Sequence, residues 1–316
     1  MSDWTECLNF GISVAKQAAE MIMSSLHHPK DVKLKSSAAD LVTETDQRVE
    51  KFLIMTIRRR FPQHRFIGEE SIGAGEHLEL TDSPTWIIDP IDGTVNFVHR
   101  FPFVAVSIAF TVNKRTEFGI VYSCVDNKLF CAQRGQGAFL NGVPLHASGQ
   151  EGDILHDYSV VDSCGLRSNG TVNVSLCVVQ SDVSRCVVVT EIGAERDDEA
   201  LTTVTTNICR LLKLPVHGVR ALGTAAVDMC QVASGAADVY YHIGMHCWDI
   251  AASALIVQEA GGIVMDTDGA EFDMMSRRVL AASSSAVASR IAQVIRTFPC
   301  RRDDEDPCVS VVQNGL

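Results

Sequence analysis

Five acidic residues mark places where this chain could do chemistry: Asp46, Glu69, Asp89, Asp92 and Asp249. Two of them stand in Trp86-Ile-Ile-Asp-Pro-Ile-Asp-Gly-Thr94, where an apolar run leads into Asp89 and Asp92 and then into Gly93-Thr94. Carboxylates without histidine or cysteine select Mg²⁺ or Mn²⁺ over Zn²⁺. Gly93 lets backbone approach a ligand closely. Thr94 can open a helix and offer both a hydroxyl and an amide N–H to an anion. Cation ligands followed at once by anion donors describe a metal-dependent phosphate site. Two such ions, roughly 3.5–4 Å apart, can clamp the attacking and leaving oxygens of a phosphoryl transfer. Asp89, at the end of the apolar run, is the candidate bridge between them. Taken singly, each acid has a plainer explanation. Asp92 suits an Asp-Gly turn, Asp249 a helix N-cap worth about 1 kcal/mol, and Glu69-Glu70 a solvated loop. A second anion signal lies in Ala221-Leu-Gly-Thr-Ala-Ala226, where Gly223-Thr224 precedes an alanine-rich helix, although a capped core helix explains it equally well.

These residues need elements to hold them, and the apolar spacing supplies candidates. Helical spacing runs over residues 4–26, through Trp4, Leu8, Ile12, Ala15, Ala19, Ile22 and Leu26, and again from Glu44 to Arg60. Thr45-Asp46 opens the second helix in a favoured capping place. Short strands are expected at Arg65–Gly68, Trp86–Ile88, Ala105–Val112, Gly119–Ser123 and Leu129–Ala132. Beyond Val187 strands and helices alternate: strand Val187–Glu191, helix Glu199–Leu212, strand Val216–Gly218, helix Thr224–Ala233, strand Asp238–Tyr241 and helix Ile250–Ala260, with Asp249 directly before the last. Gly261-Gly262 ends it as C-cap residues do. A strand that ends in carboxylates delivers them to a sheet's rim, where α/β proteins bind ligands. The run Arg301-Arg-Asp-Asp-Glu-Asp306 is expected to be a solvated end.

The chain as a whole sets bounds. Its 316 residues suffice for one large unit or two, and 46% hydrophobic with 21% charged residues is ordinary for a soluble enzyme. A net charge of −12 argues against nucleic acid as the main partner. It does not argue against a small phosphate, because bound divalent cations reverse the local sign. No apolar run is long enough to span a bilayer, and no secretory signal is visible. The eleven cysteines form no CxxC pair, which fits a reducing compartment, the cytoplasm.

At this point the chain resembles the inositol monophosphatase family. Gly68-Glu-Glu-Ser71 resembles its first metal motif, Asp89-Pro-Ile-Asp-Gly-Thr94 its signature, and Trp248-Asp-Ile-Ala251 with Glu259-Ala-Gly-Gly262 its C-terminal motif. Stretches such as Asn96–Ile108, Gly119–Cys124, Pro215–Gly218 and Met275–Arg278 read like its animal members, and the likeness spans Trp4 to Asp306. It implies an α/β (α+β) fold, a layered αβαβα sandwich, and a homodimeric, Mg²⁺-dependent, lithium-sensitive phosphoric monoester hydrolase of inositol biosynthesis and phosphatidylinositol signalling. It further implies that Glu69, Asp89 and the carbonyl of Ile91 hold a first Mg²⁺, and Asp89, Asp92 and Asp249 a second. Glu69, Thr94 and Asp46 would position and deprotonate the attacking water. The amides of Gly93 and Thr94 would bind phosphate, and Ile91, Asp92, Gly223, Thr224, Ala225, His242 and Asp249 would line the substrate.

Three departures from the family pattern stand out. His242 replaces a Glu that binds ring hydroxyls; a carboxylate accepts from two hydroxyls, whereas a neutral imidazole offers one acceptor and one donor. Val95 replaces a Thr, keeping the β-branch and losing the hydroxyl. Residues 152–184 have no counterpart and read as an insertion between an N-terminal half, 1–151, and a C-terminal half, 185–306, followed by a tail, 307–316. The insertion carries β-prone runs at Tyr158–Val161 and Val172–Val179 around an Asn169-Gly170 turn signal; a loop and an added hairpin both fit it. The expected function is Mg²⁺-dependent hydrolysis of myo-inositol monophosphates, with no nucleic-acid or membrane partner. Two alternatives stay open: a related phosphatase of other sugar phosphates or bisphosphates, and a non-catalytic regulatory variant disabled by the insertion.

Overall fold

The computed structural model describes residues 4–35, 37, 40–147 and 183–305. The expected strands at 158–161 and 172–179, with the Asn169-Gly170 turn and the tail 307–316, lie outside these residues.

The first half runs α1 (Thr5–Leu26), β1 (Val32–Leu34), β2 (Leu41–Thr43), α2 (Glu44–Arg60), β3 (Arg65–Gly68), α3 (Glu69–Gly73), β4 (Thr85–Asp92), α4 (Thr94–His99), β5 (Ala105–Val112), β6 (Arg115–Ser123), β7 (Lys128–Gln133), β8 (Ala138–Leu140) and β9 (Val143–Pro144). The second runs β10 (Val187–Thr190), α5 (Asp198–Lys213), β11 (Gly218–Arg220), α6 (Ala225–Ala233), β12 (Val239–Ile243), α7 (Cys247–Glu259), β13 (Ile263–Met265), β14 (Arg278–Ala282) and α8 (Ser285–Ala292). A seven-stranded sheet has the order β3-β4-β5-β6-β7-β8-β9, and a five-stranded sheet the order β11-β10-β12-β14-β13.

Side-chain alternation along the strands sorts the chain into layers. In β4, Trp86 and Ile88 join the cluster under α1 and α2, whereas Ile87 joins the one formed with α6 and α7. In β12, Tyr240 faces α6 and α7, whereas Val239 and Tyr241 face the cluster containing Leu211 of α5 and Ile291 of α8. The order is therefore helices, large sheet, α6 with α7, small sheet, helices: the αβαβα sandwich. Apolar residues cover α7 all round, as a helix between two sheets requires. It seats closely on the large sheet at Gly119, where a Cβ would lie 2.4 Å from the carbonyl oxygen of Ala252.

Several expected boundaries shift. Strand β4 continues through Pro90 to Asp92, with its pairing to β5 slipping between Asp89 and Asp92. The strand expected at Val216–Gly218 forms at Gly218–Arg220 instead. Thr43, not Thr45 or Asp46, is the N-cap of α2. Asp249 is the third residue of α7, whose N-cap is His246. The charge run at 301–305 is not wholly solvated, because the Asp303 side chain is only 3% exposed.

Candidate active site

The end of β4, the start of α2 and the start of α7 bring the acids together. Asp89, Asp92 and Asp249 each place a carboxylate oxygen within 4.8 Å of the others. One oxygen of each is tied to a backbone amide. Asp89 Oδ1 accepts from the N–H of Ile91 at 2.9 Å, Asp92 Oδ2 from that of Ala226 at 2.7 Å, and Asp249 Oδ2 from that of His246 at 2.8 Å. Asp92 also accepts from the hydroxyl of Thr224, the N-cap of α6. The second oxygen of Asp92 and that of Asp249 have no donor among the described residues, and Asp89 meets the Glu69 side chain. Each carboxylate is thus half fixed and half available, which suits a ligand of a hard cation.

Electrostatics favour such a guest. Burial, then Glu69, Asp92 and Asp249, push the Asp89 carboxyl well above the usual range. Burial and then Asp249 do the same for Asp92. Burial raises Asp249 to about 6, although His246 opposes the shift. Crowded buried carboxylates disfavour one another's ionisation, and an oxygen-bound divalent cation relieves that. The donor set therefore fits Mg²⁺.

Glu69 stands at the edge of the group. It lies against Asp89, while its Oε1 accepts from Lys35 Nζ at 2.7 Å. Asp46 sits one turn into α2. Its Oδ2 accepts from the N–H of Thr43 at 2.9 Å and from the Thr43 hydroxyl, and its Oδ1 from Thr94 Oγ1 at 2.9 Å. Thr94 Oγ1 also lies 3.1 Å from the Ile91 carbonyl oxygen. Gly93 has φ +93°, and a Cβ there would meet the carbonyl oxygens of Phe103 at 2.9 Å and Gly223 at 3.0 Å. Asn96 closes the same junction, donating through Nδ2 to Phe103 O at 2.8 Å and Leu222 O at 2.7 Å.

The far side of the site is the carboxyl edge of the small sheet. Here Gly223, Thr224 and Ala225 join β11 to α6, and His242 lies near the end of β12. His242 is buried, and its Nδ1 is 3.1 Å from the Tyr240 hydroxyl. Its Nε2 has no hydrogen-bond partner among the described residues. Burial, with Arg277 and His246 nearby, lowers its pKa to about 4, so the ring is neutral.

Sequence reasoning missed three supporting acids. Glu50, buried on α2, accepts from the N–H groups of Glu70 and Ser71 at 2.7 and 2.9 Å and so holds the start of α3. Its position one helical turn after Asp46 puts both on one face, a signal available in the spacing. Glu191 follows β10 and accepts from the Gly223 N–H at 2.7 Å; it stands at a strand end, as Asp92 does. Asp303 had no local signal, since it lies within a charge run.

The profile of the inositol monophosphatase family matches residues 3–298. The chain is 50% identical over 303 residues to inositol monophosphatase 1 of Homo sapiens, covering 96% of this chain and 99% of that protein. It is 46% identical over 302 residues to inositol monophosphatase 2 of Homo sapiens, covering 96% and 94%. Among solved structures it resembles an IMPase of Thermotoga maritima, with a TM-score of 0.73 and 27% identity over 92% of this chain and 96% of that one. It also resembles the extragenic suppressor protein suhB of Bartonella henselae, with a TM-score of 0.74 and 26% identity over 92% and 98%.

Proposed function

The chain belongs to the inositol monophosphatase family and is a phosphatase, and from that premise we propose that it hydrolyses myo-inositol monophosphates to inositol and phosphate with Mg²⁺. The observation that carries this reading is the triad of half-tethered carboxylates Asp89, Asp92 and Asp249. Glu69, Asp89 and the Ile91 carbonyl would hold one ion, and Asp89, Asp92 and Asp249 a second. Bound there, the ions supply an acidified water and neutralise charge on the leaving oxygen.

The remaining roles belong to the chain's own groups. Thr94 donates its hydroxyl hydrogen to Asp46 Oδ1, which leaves its oxygen free to accept a hydrogen bond from the attacking water. Glu69 would be the base that takes the proton directly from that water, which Thr94 and Asp46 hold in position. The N–H groups of Gly93 and Thr94 face the phosphate. The Gly223–Ala225 turn, Asp92, Asp249 and His242 line the alcohol. Water attacks phosphorus in line, opposite the ester oxygen. Positioning and electrostatic stabilisation supply most of the rate.

His242 supports a second reading for the alcohol. A buried neutral imidazole with an unpartnered Nε2 presents fewer acceptors to a polyol than a carboxylate does, so another sugar phosphate could be preferred. We place the protein in the cytoplasm as a homodimer, with the described cysteines present as free thiols. No helix among the described residues is long and apolar enough to cross a membrane. We treat 152–184 as an insertion compatible with activity.

The test is phosphate release, with and without Mg²⁺, from inositol 1-phosphate, galactose 1-phosphate and adenosine 3′,5′-bisphosphate. It is run on the full chain and on a variant lacking 152–184. Mg²⁺-dependent release, greatest from inositol 1-phosphate, is expected. Release that ignores Mg²⁺ sinks the mechanism, and a preference for another substrate sinks the assignment of the alcohol. A full chain that is inactive while the shortened one works points to a regulatory variant.

A further inference from the structure

The turn between β12 and α7 leads straight into Asp249, in the first turn of α7, and it is gripped from both sides by residues far away in sequence. Arg277 donates to the carbonyl oxygens of Gly244, at 2.6 Å, and Met245, at 3.1 Å. Asp303 grips the other side. Its Oδ2 accepts from the Cys247 N–H at 2.7 Å, and its Oδ1 lies 2.6 Å from His246 Nδ1. Its own N–H donates to the Met275 carbonyl at 3.0 Å. Arg277 Nε stands 3.8 Å from Asp303 Oδ1. The His246 ring, held in this way, stacks on Trp248 with centroids 4.6 Å apart.

The first turn of a helix exposes N–H groups that need acceptors. At α7 two carboxylates divide that work. Asp303 takes the Cys247 N–H, and Asp249 spends only Oδ2, on the His246 N–H. Asp249 Oδ1 therefore stays available to the aspartate cluster. Without Asp303, the N–H of the fully buried Cys247 has lost its acceptor, and Asp249, two residues on, is the nearest carboxylate in the chain. Drawing it inward takes an oxygen away from Asp89 and Asp92. Groups that orient metal ligands from behind typically control affinity 10–100-fold.

We propose that Asp303, brought back by the C-terminal segment, is a positioning residue that holds Asp249 in metal-binding geometry. The proposal rests on the metal-dependent reading above. Its test is calorimetric titration of the metal-stripped full chain with Mg²⁺, beside thermal melting in EDTA. Asp303→Ala should weaken Mg²⁺ binding about 10–100-fold, while KM for inositol 1-phosphate at saturating Mg²⁺ stays within about threefold. Asp303→Asn keeps an acceptor for the Cys247 N–H and should lose less. Arg302→Ala is the control: the Arg302 guanidinium ties the same segment to Asp273 and Asp304 and makes no hydrogen bond to α7 among the described residues, so Mg²⁺ affinity should not change. Wild-type affinity in Asp303→Ala overturns the proposal, as does an equal loss in Arg302→Ala. Should Asp303→Ala fail to melt cooperatively, Asp303→Asn decides, and wild-type affinity there overturns it. A wild-type chain that binds no Mg²⁺ overturns the metal-dependent reading itself, a different result from a wild type that binds and a variant that binds equally.

Discussion

The end of the site built on β4 gathers three aspartates whose crowded charge calls for a cation, whereas the end built on β10, β11 and β12 is held by hydrogen bonds among largely neutral groups. At the second end His242 is neutral, and Glu191 is committed to the Gly223 N–H. Behind Glu191, Asp228 is fully buried, and burial followed by Glu191 pushes its carboxyl well above the usual range. The two ends meet at Asp92, which lies at the end of β4 and binds Thr224 and Ala226 of α6. The difference separates two tasks: the charged end is suited to move a phosphoryl group, and the neutral end to choose the alcohol.

That separation is broken most severely at Asp89. Asp89→Asn keeps the shape and one acceptor oxygen but removes the charge. Turnover at fixed Mg²⁺ should fall by about 10³-fold or more, since metal stabilisation of the transition state is worth several kcal/mol. Melting in EDTA should hold steady or rise, because a repelling buried charge has gone. A phosphate-release assay on the melted-and-checked variant decides it; near-normal turnover would remove Asp89 from the mechanism.

The charged end was legible in the sequence because its chemistry is local. Asp89, Asp92, Gly93 and Thr94 fall within six consecutive residues, and one strand end with one helix start places them all. The layers were legible only through the family resemblance, since periodicity finds elements and not their stacking. The neutral end was less legible because it is assembled from three strand ends. Glu191 meets Gly223 across 32 residues, as behind the charged end Asp303 meets Cys247 across 56, and no local pattern encodes such contacts. The helix caps were misplaced by two or three residues for a related reason. Asp46 and Asp249 each act as the reciprocal partner of a capping box, bonding back to the N-cap amide, so the acid sits inside the helix rather than ahead of it.

At the neutral end Glu191 should matter next. Glu191→Ala leaves the Gly223 N–H without its acceptor and frees the turn that lines the alcohol. KM for inositol 1-phosphate should rise about tenfold, the equivalent of one hydrogen bond, with kcat changed by less than about threefold. Steady-state kinetics at saturating Mg²⁺ measure both. A loss confined to kcat would mean that the two tasks are not separated where we place the boundary.

A smaller change in turnover is expected at His242. Restoring a carboxylate with His242→Glu adds an acceptor for ring hydroxyls. The preference for inositol 1-phosphate over galactose 1-phosphate should rise roughly fivefold, less than the tenfold that one full hydrogen bond gives. An unchanged ratio would show that this position does not read the alcohol.

His242→Gln should alter turnover least and acid stability clearly, which separates the ring's charge from its contacts. In the folded protein burial, Arg277 and His246 lower the His242 pKa to about 4, against about 6.5 when unfolded. Between those values the unfolded chain takes up a proton that the folded chain refuses. The stability held above about pH 6.5 is therefore lost as the pH falls toward 4. By pH 5 the loss amounts to about 2 kcal/mol. Glutamine does not titrate, so the variant should lose less stability than wild type when denaturant melts at pH 7 and pH 5 are compared. The carboxylates of the charged end shift the other way. Their raised pKa values favour the metal-free fold at low pH, so the comparison must be made between the two proteins at each pH, where that contribution cancels. Parallel losses in both would place the His242 ring in contact with solvent or with a compensating acid, and would move it out of the neutral end altogether.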